Sequence, residues 1–269
     1  MNPAPTEGRA AAIWNTQRLP HVGRVIAVAS GKGGVGKSTS TVNLALALLQ
    51  QGQRVGVLDA DIYGPSIPSM LGLRSHPHPE VKDGQMLPLV GMGVRTMSMG
   101  FIVKNQAAVL RGPMISKTLQ QFLRGVAWGS AASPLDILLI DLPPGTGDVP
   151  ISLAQAVPLD GAIIVTTPQE LAVLDADKAA QMFRKLNVPI LGIIENMSYF
   201  LDPQGQAHHL FGEGGGKGLA AQYDVPFLGE LPLEPALGTA ADKGTNYLSD
   251  HPKSDTTQAF WRIAAQLIG

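Results

Sequence analysis

The sequence predicts an α/β protein with a doubly wound, mainly parallel sheet and helices on both faces. Three observations predict it. Nearly continuous apolar runs recur along the chain, as parallel strands covered on both sides require. Stretches with apolar residues at helical spacing lie between them. A glycine-rich loop sits directly between the first apolar run and the first helical pattern. Strand–helix alternation of this kind implies right-handed crossovers. In such sheets, ligands sit beyond the carboxyl ends of the strands.

Residues 1–23 read as a flexible leader, rich in Ala, Pro and polar residues, and 24–269 as a single domain. Met1 to Pro20 holds no continuous apolar segment of the kind a secretory signal needs. Val25–Ala29 is the first expected strand and Ser38 to Gln51 the first helix. Val55–Asp59 is the second strand. Met86 to Phe101, interrupted by Pro88 and Gly91-Met92-Gly93, reads as one or two short strands in an inserted hairpin or edge, with Met92, Met97 and Met99 as core filler. Leu135–Asp141, Gly161–Thr167, Val188–Glu195 and Pro226–Leu231 are further strands. Ala172, Ala176, Ala179, Phe183 and Leu186 recur at helical spacing, as do Phe260, Ile263 and Leu267.

Composition narrows the function classes. Of 269 residues, 45% are hydrophobic and 15% charged, enough for a sizeable core. The net charge of −1 gives no sign of a nucleic-acid protein driven by bulk positive charge. No apolar run reaches the length of a membrane span. A phosphate-binding loop without a signal sequence points to the cytoplasm. The chain has no cysteine, which excludes disulfides, thiolate catalysis and thiolate metal sites.

Gly31, Lys32, Gly33, Gly34, Val35, Gly36, Lys37 and Ser38, followed by Thr39, fit the phosphate-binding pattern Gly-x-x-x-x-Gly-Lys-Ser/Thr. The pattern stands where its chemistry needs it, after a strand and opening a helix. Loop N–H groups and the helix N-terminus together attract a polyanion. Lys37 supplies a point charge to the outer phosphates, and the Ser38 hydroxyl suits Mg²⁺. Lys32 occupies a position the minimal pattern leaves open; it is either a solvated charge or a cation that reaches a phosphate on a neighbouring subunit.

Acidic residues end two of the strands. Asp141 precedes Leu142-Pro143-Pro144-Gly145-Thr146-Gly147-Asp148 and is placed to hold Mg²⁺ opposite the phosphate loop. Asp59 and Asp61 follow the second strand; one tunes Mg²⁺ hydration while the other orients the attacking water. Capping of the next helix is the competing explanation for Asp61. Asn196 has the donor and acceptor that an adenine edge requires, and equally those of a loop cap after a strand.

The early lysine of Lys32-Gly33-Gly34-Val35-Gly36-Lys37-Ser38 resembles the signature of the MinD/ParA/nitrogenase-iron-protein class of P-loop NTPases. Further segments narrow the likeness. They are Asp59-Ala60-Asp61-Ile62-Tyr63-Gly64-Pro65-Ser66, Arg111-Gly112-Pro113-Met114, Asp141 to Asp148, and Glu195-Asn196-Met197-Ser198-Tyr199-Phe200. Together they resemble the Mrp/ApbC iron–sulfur cluster carrier ATPases, from about Arg24 to the C-terminus. The resemblance implies a homodimer that hydrolyses ATP with Mg²⁺, holds nucleotide at its interface, and serves iron–sulfur client or scaffold proteins. It implies that Lys32 contacts the partner's nucleotide, Gly33 to Thr39 wrap phosphate, Asp61 positions water and Asp141 serves Mg²⁺. It also implies that Asn196 bonds adenine and that Pro232 lines the base pocket.

The family's Cys-x-x-Cys, which gives thiolates to a cluster bridging the dimer, falls here on Asp202 and Gly205. Asp202-Pro203-Gln204-Gly205 reads as an ordinary turn. His208 and His209 follow; they are either solvated or ligands to a metal. The resemblance thus implies an iron–sulfur cluster whose usual ligands are missing, since such clusters are held by thiolates. A MinD/ParA-like positioning ATPase and a nucleotide-gated scaffold are the alternatives. Against the first, Thr256 to Gly269 carries Arg262 as its only basic residue, where a membrane tail needs a basic amphipathic helix. Asp61 and Asp141 argue against the second.

Overall fold

The computed structural model describes residues 17–62, 64–75, 78–102 and 112–269. Residues 1–16 of the expected leader, with Tyr63 and Arg111 of the quoted segments, lie outside the described residues. In chain order the elements begin β1 (Val22–Ala29), α1 (Lys37–Gln50), β2 (Val55–Asp59), α2 (Ile67–Met70), β3 (Val81–Lys82) and β4 (Gln85–Met86). β5 (Leu89–Gly91), β6 (Val94–Ser98), α3 (Met99–Ile102), α4 (Gly112–Gly125), β7 (Leu135–Asp141) and α5 (Asp148–Ala156) follow. Next come β8 (Gly161–Thr166), α6 (Glu170–Lys185), β9 (Ile190–Asn196), β10 (Phe200–Leu201) and β11 (Ala207–His208). The chain closes with α7 (Gly215–Tyr223), β12 (Phe227–Leu231), α8 (Pro235–Lys243), α9 (Tyr247–Asp250) and α10 (Asp255–Ile268).

Eight strands form the main sheet in the order β12-β9-β8-β1-β7-β2-β6-β5. Every neighbouring pair runs parallel except β5 and β6. The chain works outward from β1 to β6, returns to β7, then crosses to β8 and the far edge. The order therefore reverses around β1, and the loop that follows β1 opens at the crevice this reversal creates. The central strands are sealed on both faces: every residue of β8 and of β2 is buried. α1 packs on β1, β2, β7 and β8, α6 on β8 and β9, and α7 and α10 cover the β12 side of the sheet. Trp128, Phe122, Phe183 and Phe260 are the bulkiest fully enclosed side chains.

Several boundaries shift for local reasons. β1 starts at Val22, and Leu19 ahead of it is buried, so the sheet takes in residues placed with the leader. Val188 bonds back to the Phe183 carbonyl and closes α6 instead of opening β9. Pro226 has no N–H for a ladder; its carbonyl receives Ile193 N and β12 begins one residue later. The irregular segment is half as expected: β5 is an antiparallel edge, but β6 pairs parallel with β2 and belongs to the body of the sheet. Met97 and Met99 are fully buried, whereas Met92 is only partly so. Met92 and Gly93, with φ of 51° and 86°, make the two-residue hairpin turn that this hand of strand twist favours.

Because Phe183 fills the space between α6 and the sheet with no exposed surface, its truncation to alanine leaves a cavity. Phe183→Ala is expected to lower unfolding stability by about 3–5 kcal/mol. The effect should appear in urea titrations as a lower midpoint with an unchanged slope.

Candidate functional site

The site is built on the carboxyl ends of β1, β7 and β2. After β1 the chain turns through Gly31 to Gly36 and enters α1 at Lys37. Gly34 and Gly36 hold φ of 84° and 82°, a conformation that costs a side-chain-bearing residue. No side chain caps α1. Its first-turn N–H groups and the positive end of its dipole are left facing the loop, the arrangement that draws an anion.

Gly31 is required by space. A Cβ there would lie 2.0 Å from the backbone carbon of Asp175, so the loop runs directly against α6. The segment after β7 is tied to the loop as well. Gly145 N donates to the Ser30 carbonyl at 2.9 Å, and the Ser30 hydroxyl donates to the Lys32 carbonyl at 3.0 Å.

One carboxylate gathers the loop. Asp141, fully buried at the end of β7, takes Lys37 Nζ and Ser38 Oγ on Oδ2, both at 2.6 Å, and Thr41 Oγ1 on Oδ1 at 2.6 Å. Lys37 is itself 6% exposed, so the ion pair is shielded from water. Thr41 was not among the residues singled out by sequence. Its signal is a polar residue one turn beyond Lys37, on the same face of a helix that is otherwise buried there.

Asp59 pairs in register with Asp141 across β2 and β7. It is also fully buried, takes Ser98 Oγ at 2.8 Å and receives Asp61 N at 3.2 Å. Burial, reinforced by the neighbouring Asp141 charge, pushes its carboxyl up to about 8. Asp59 therefore sits behind Asp141 as a mostly protonated group near neutrality. Ser98, at the end of β6, is a second residue that sequence reading missed.

A cleft of about 210 Å³ opens over this floor. It is lined by Lys32, Gly33, Gly34, Gly36, Lys37, Ser38 and Thr39, with Asp61 and Pro144 opposite. Asp61 accepts Gly64 N at 3.3 Å. It does not cap α2, which starts at Ile67 behind Ser66. Val35 turns inward and is buried. The donor set suits Mg²⁺, which takes one or two carboxylates and completes its shell from phosphates and water. Asp141 and Ser38 offer a carboxylate and a hydroxyl of the kind such an ion takes.

Asn196, closing β9, reaches the loop from its far side: Nδ2 donates to the Val35 carbonyl at 2.8 Å. Pro232 is buried just after β12, whose last residue pairs with Asn196. It lines a second cleft, of about 270 Å³, with Phe200, Glu234 and Asp255, and not the phosphate-loop cleft.

Asp202 and Gly205 sit in the turn of the β10–β11 hairpin. Asp202 Oδ1 receives the amides of Gln204 and Gln206, and Gly205 has φ of 82°. His208 Nε2 lies 2.9 Å from Asp202 Oδ2. That contact, with the Gln206 and Gln204 amides, holds the Asp202 carboxyl below its usual range. His209 Nδ1 is 3.0 Å from the Ser198 carbonyl. Both imidazoles are thus engaged within the hairpin region. Among the described residues, no group of three or more His, Cys, Asp or Glu is assembled as a metal site. No helix among them is long and apolar enough to cross a membrane.

The family described as NUBPL iron-transfer P-loop NTPase, within ParA, matches residues 21–268. An iron–sulfur cluster carrier protein of Deinococcus radiodurans is 49% identical over 253 residues, 93% of this chain and 71% of its own length. The iron–sulfur cluster transfer protein NUBPL of Mus musculus is 46% identical over 251 residues, 92% and 77% of the two chains. Among solved structures, a nucleotide-binding protein from Archaeoglobus fulgidus in complex with ADP superposes with a TM-score of 0.77 at 40% identity, covering 90% of this chain and 94% of its own. The cell-division protein MinD of Aquifex aeolicus gives a TM-score of 0.65 at 22% identity, covering 91% and 97% of the two chains, which shows the shared fold alone.

The state of Asp59 carries a pH signature. In the unfolded chain it ionises near its ordinary value of 3.8; in the folded chain it keeps its proton until about 8. The folded form binds the extra proton between these values, so this stabilising contribution is complete below about 4 and lost as pH rises through about 8. Ligand-free protein is expected to lose stability from pH 5 to 8. Asp59→Asn should flatten that decline by up to about 1.4 kcal/mol per pH unit, read from urea unfolding across the range.

Proposed function

The chain belongs to the NUBPL iron-transfer P-loop NTPase family, and from that premise we propose that it is a Mg²⁺-dependent ATPase. We take it to act as a homodimer in iron–sulfur assembly, without holding the cluster through its own side chains. One observation carries the nucleotide part: Lys37, Ser38 and Thr41 converge on the single buried carboxylate of Asp141, while Asp61 faces the same cleft.

The roles follow from the chemistry of each group. An arriving triphosphate competes with Asp141 for Lys37, which then carries its charge to the outer phosphates. Ser38 and Asp141 would hold Mg²⁺, which would supply neutralisation of phosphate charge. Loop N–H groups from Gly33 to Thr39 cradle the phosphates. Asp61 accepts a hydrogen bond from a water and aims its oxygen at the γ-phosphorus; the new P–O bond forms as the bridging one breaks. Asp59, protonated behind Asp141, adds no second negative charge to the floor at neutral pH.

The dimer reading rests on α6. Leu171 and Leu174 are 71% and 53% exposed there, beside the Asp175 backbone that packs on Gly31. Exposed leucines next to a binding loop suit burial by a second copy, which would bring Lys32 to the facing nucleotide. The cargo position fits a cluster poorly. Iron–sulfur clusters need thiolates, the chain has none, and Asp202, Gly205 and the two histidines are tied into a hairpin. Cluster handling by this chain is therefore assigned to partner proteins that supply the ligands.

Two measurements test this reading. Asp61→Asn should cut ATP turnover by about 100-fold or more while calorimetry still shows Mg²⁺-ATP uptake; unchanged turnover would remove Asp61 from the mechanism. Anaerobic reconstitution with iron and sulfide should leave the purified dimer without stoichiometric cluster. A full cluster per dimer, by iron and sulfide analysis, would overturn the assignment of the ligands to partners.

A further inference from the structure

We propose that Asn196 is a positioning residue for the phosphate loop, so that the phosphate chain itself, and not only the base, depends on it. The inference rests on reading the cleft as a nucleotide site. Asn196 stands at the end of β9, 7% exposed, and its Nδ2 donates to the Val35 carbonyl at 2.8 Å. The same amide lies against the next residue. A Cβ on Gly36 would come within 2.1 Å of Asn196 Nδ2, so the side chain rests on the Gly36 backbone. The carbonyl and N–H of a trans peptide point in opposite directions. Anchoring the Val35 carbonyl on Asn196 therefore turns the Gly36 N–H away from Asn196, and Gly36 lines the cleft. Gly36 is also the residue from which α1 starts, at φ 82° and without a side-chain cap. Its conformation sets the direction of the first-turn N–H groups and of Lys37.

Asn196 is itself held firmly enough to act as an anchor. The next residue, Met197, adopts the left-handed region at φ 56°. That turn is closed by Ser198, whose hydroxyl meets Glu195 Oε1 at 2.8 Å and whose N–H donates to the Leu231 carbonyl at 3.0 Å. Glu195, 1% exposed, receives Gly216 N at the start of α7 on its other oxygen, at 2.5 Å. The anchor is thus fixed by β12 and α7, elements remote in sequence from the loop it holds. Loop positioning and a base contact are separable by ligand.

The probe that separates them is inorganic tripolyphosphate with Mg²⁺, which carries phosphates but no base or ribose. Its affinity and that of ATP are measured by calorimetry on the full chain, on Asn196→Ala and on Asn196→Asp. Tripolyphosphate is expected to weaken about tenfold or more, the loss that follows an unmade buried hydrogen bond, and ATP by at least that factor. Asn196→Asp, which sets an oxygen against the Val35 carbonyl, should weaken them at least as much as Asn196→Ala. If Asn196→Asp does not fold, judged by its melting transition without ligand, Asn196→Ala carries the comparison. Unchanged tripolyphosphate affinity, with loss confined to ATP or to the preference for ATP over GTP, would make Asn196 a base contact only and overturn the proposal. A wild-type protein that takes up neither ligand would instead overturn the nucleotide reading, and this inference with it.

Discussion

The site depends on one buried carboxylate. Asp141 is removed from water at the end of a central strand and is surrounded by donors from α1 alone. Ionised oxygens in a low-dielectric setting attract such donors strongly, and bonds to them are among the strongest a protein makes. The cost of burying the Lys37–Asp141 pair is large and offsets much of the attraction, so the pair is weak evidence for stability. Its consequence is positional. β7 fixes Asp141, Asp141 fixes Lys37, Ser38 and Thr41, and the first turn of α1 cannot drift from the sheet.

Glycine makes the rest of that arrangement possible by leaving space. At Gly31 the loop touches the backbone of α6, and at Gly36 it touches the Asn196 amide. A methyl group at either place would have to displace backbone or a hydrogen-bonded side chain. The loop is therefore clamped between α6 on one side and the end of β9 on the other, with Gly145 reaching Ser30 from the segment after β7.

The β10–β11 hairpin follows directly from the end of β9 that carries Asn196. Asp202 satisfies the turn of this tight hairpin and both histidines are bonded in its vicinity, at the stretch where the family resemblance implies thiolates. The backbone there meets its own hydrogen-bonding needs without a metal. The loop after β1 is organised chiefly by Asp141 and by its own glycines.

The sequence by itself determined the sheet class, most of the strands, the phosphate loop and the acidic strand ends. These are local signals: apolar period, glycine spacing, and an acid closing an apolar run. Helix periodicity likewise placed Ala172, Ala176, Ala179 and Phe183 on the buried face of α6, where they lie. Thr41 and Ser98 were not legible, because a hydroxyl becomes part of a site only through the carboxylate it meets across the fold. The proton on Asp59 was decided by burial beside Asp141, which comes from the register of β2 on β7. The bond from Asn196 to Val35 joins the end of β9 to the loop after β1, past the intervening β8, and no spacing along the chain encodes it. Residue types were written locally; which of them share a hydrogen bond, and which lose contact with water, was decided only when the strands were brought side by side.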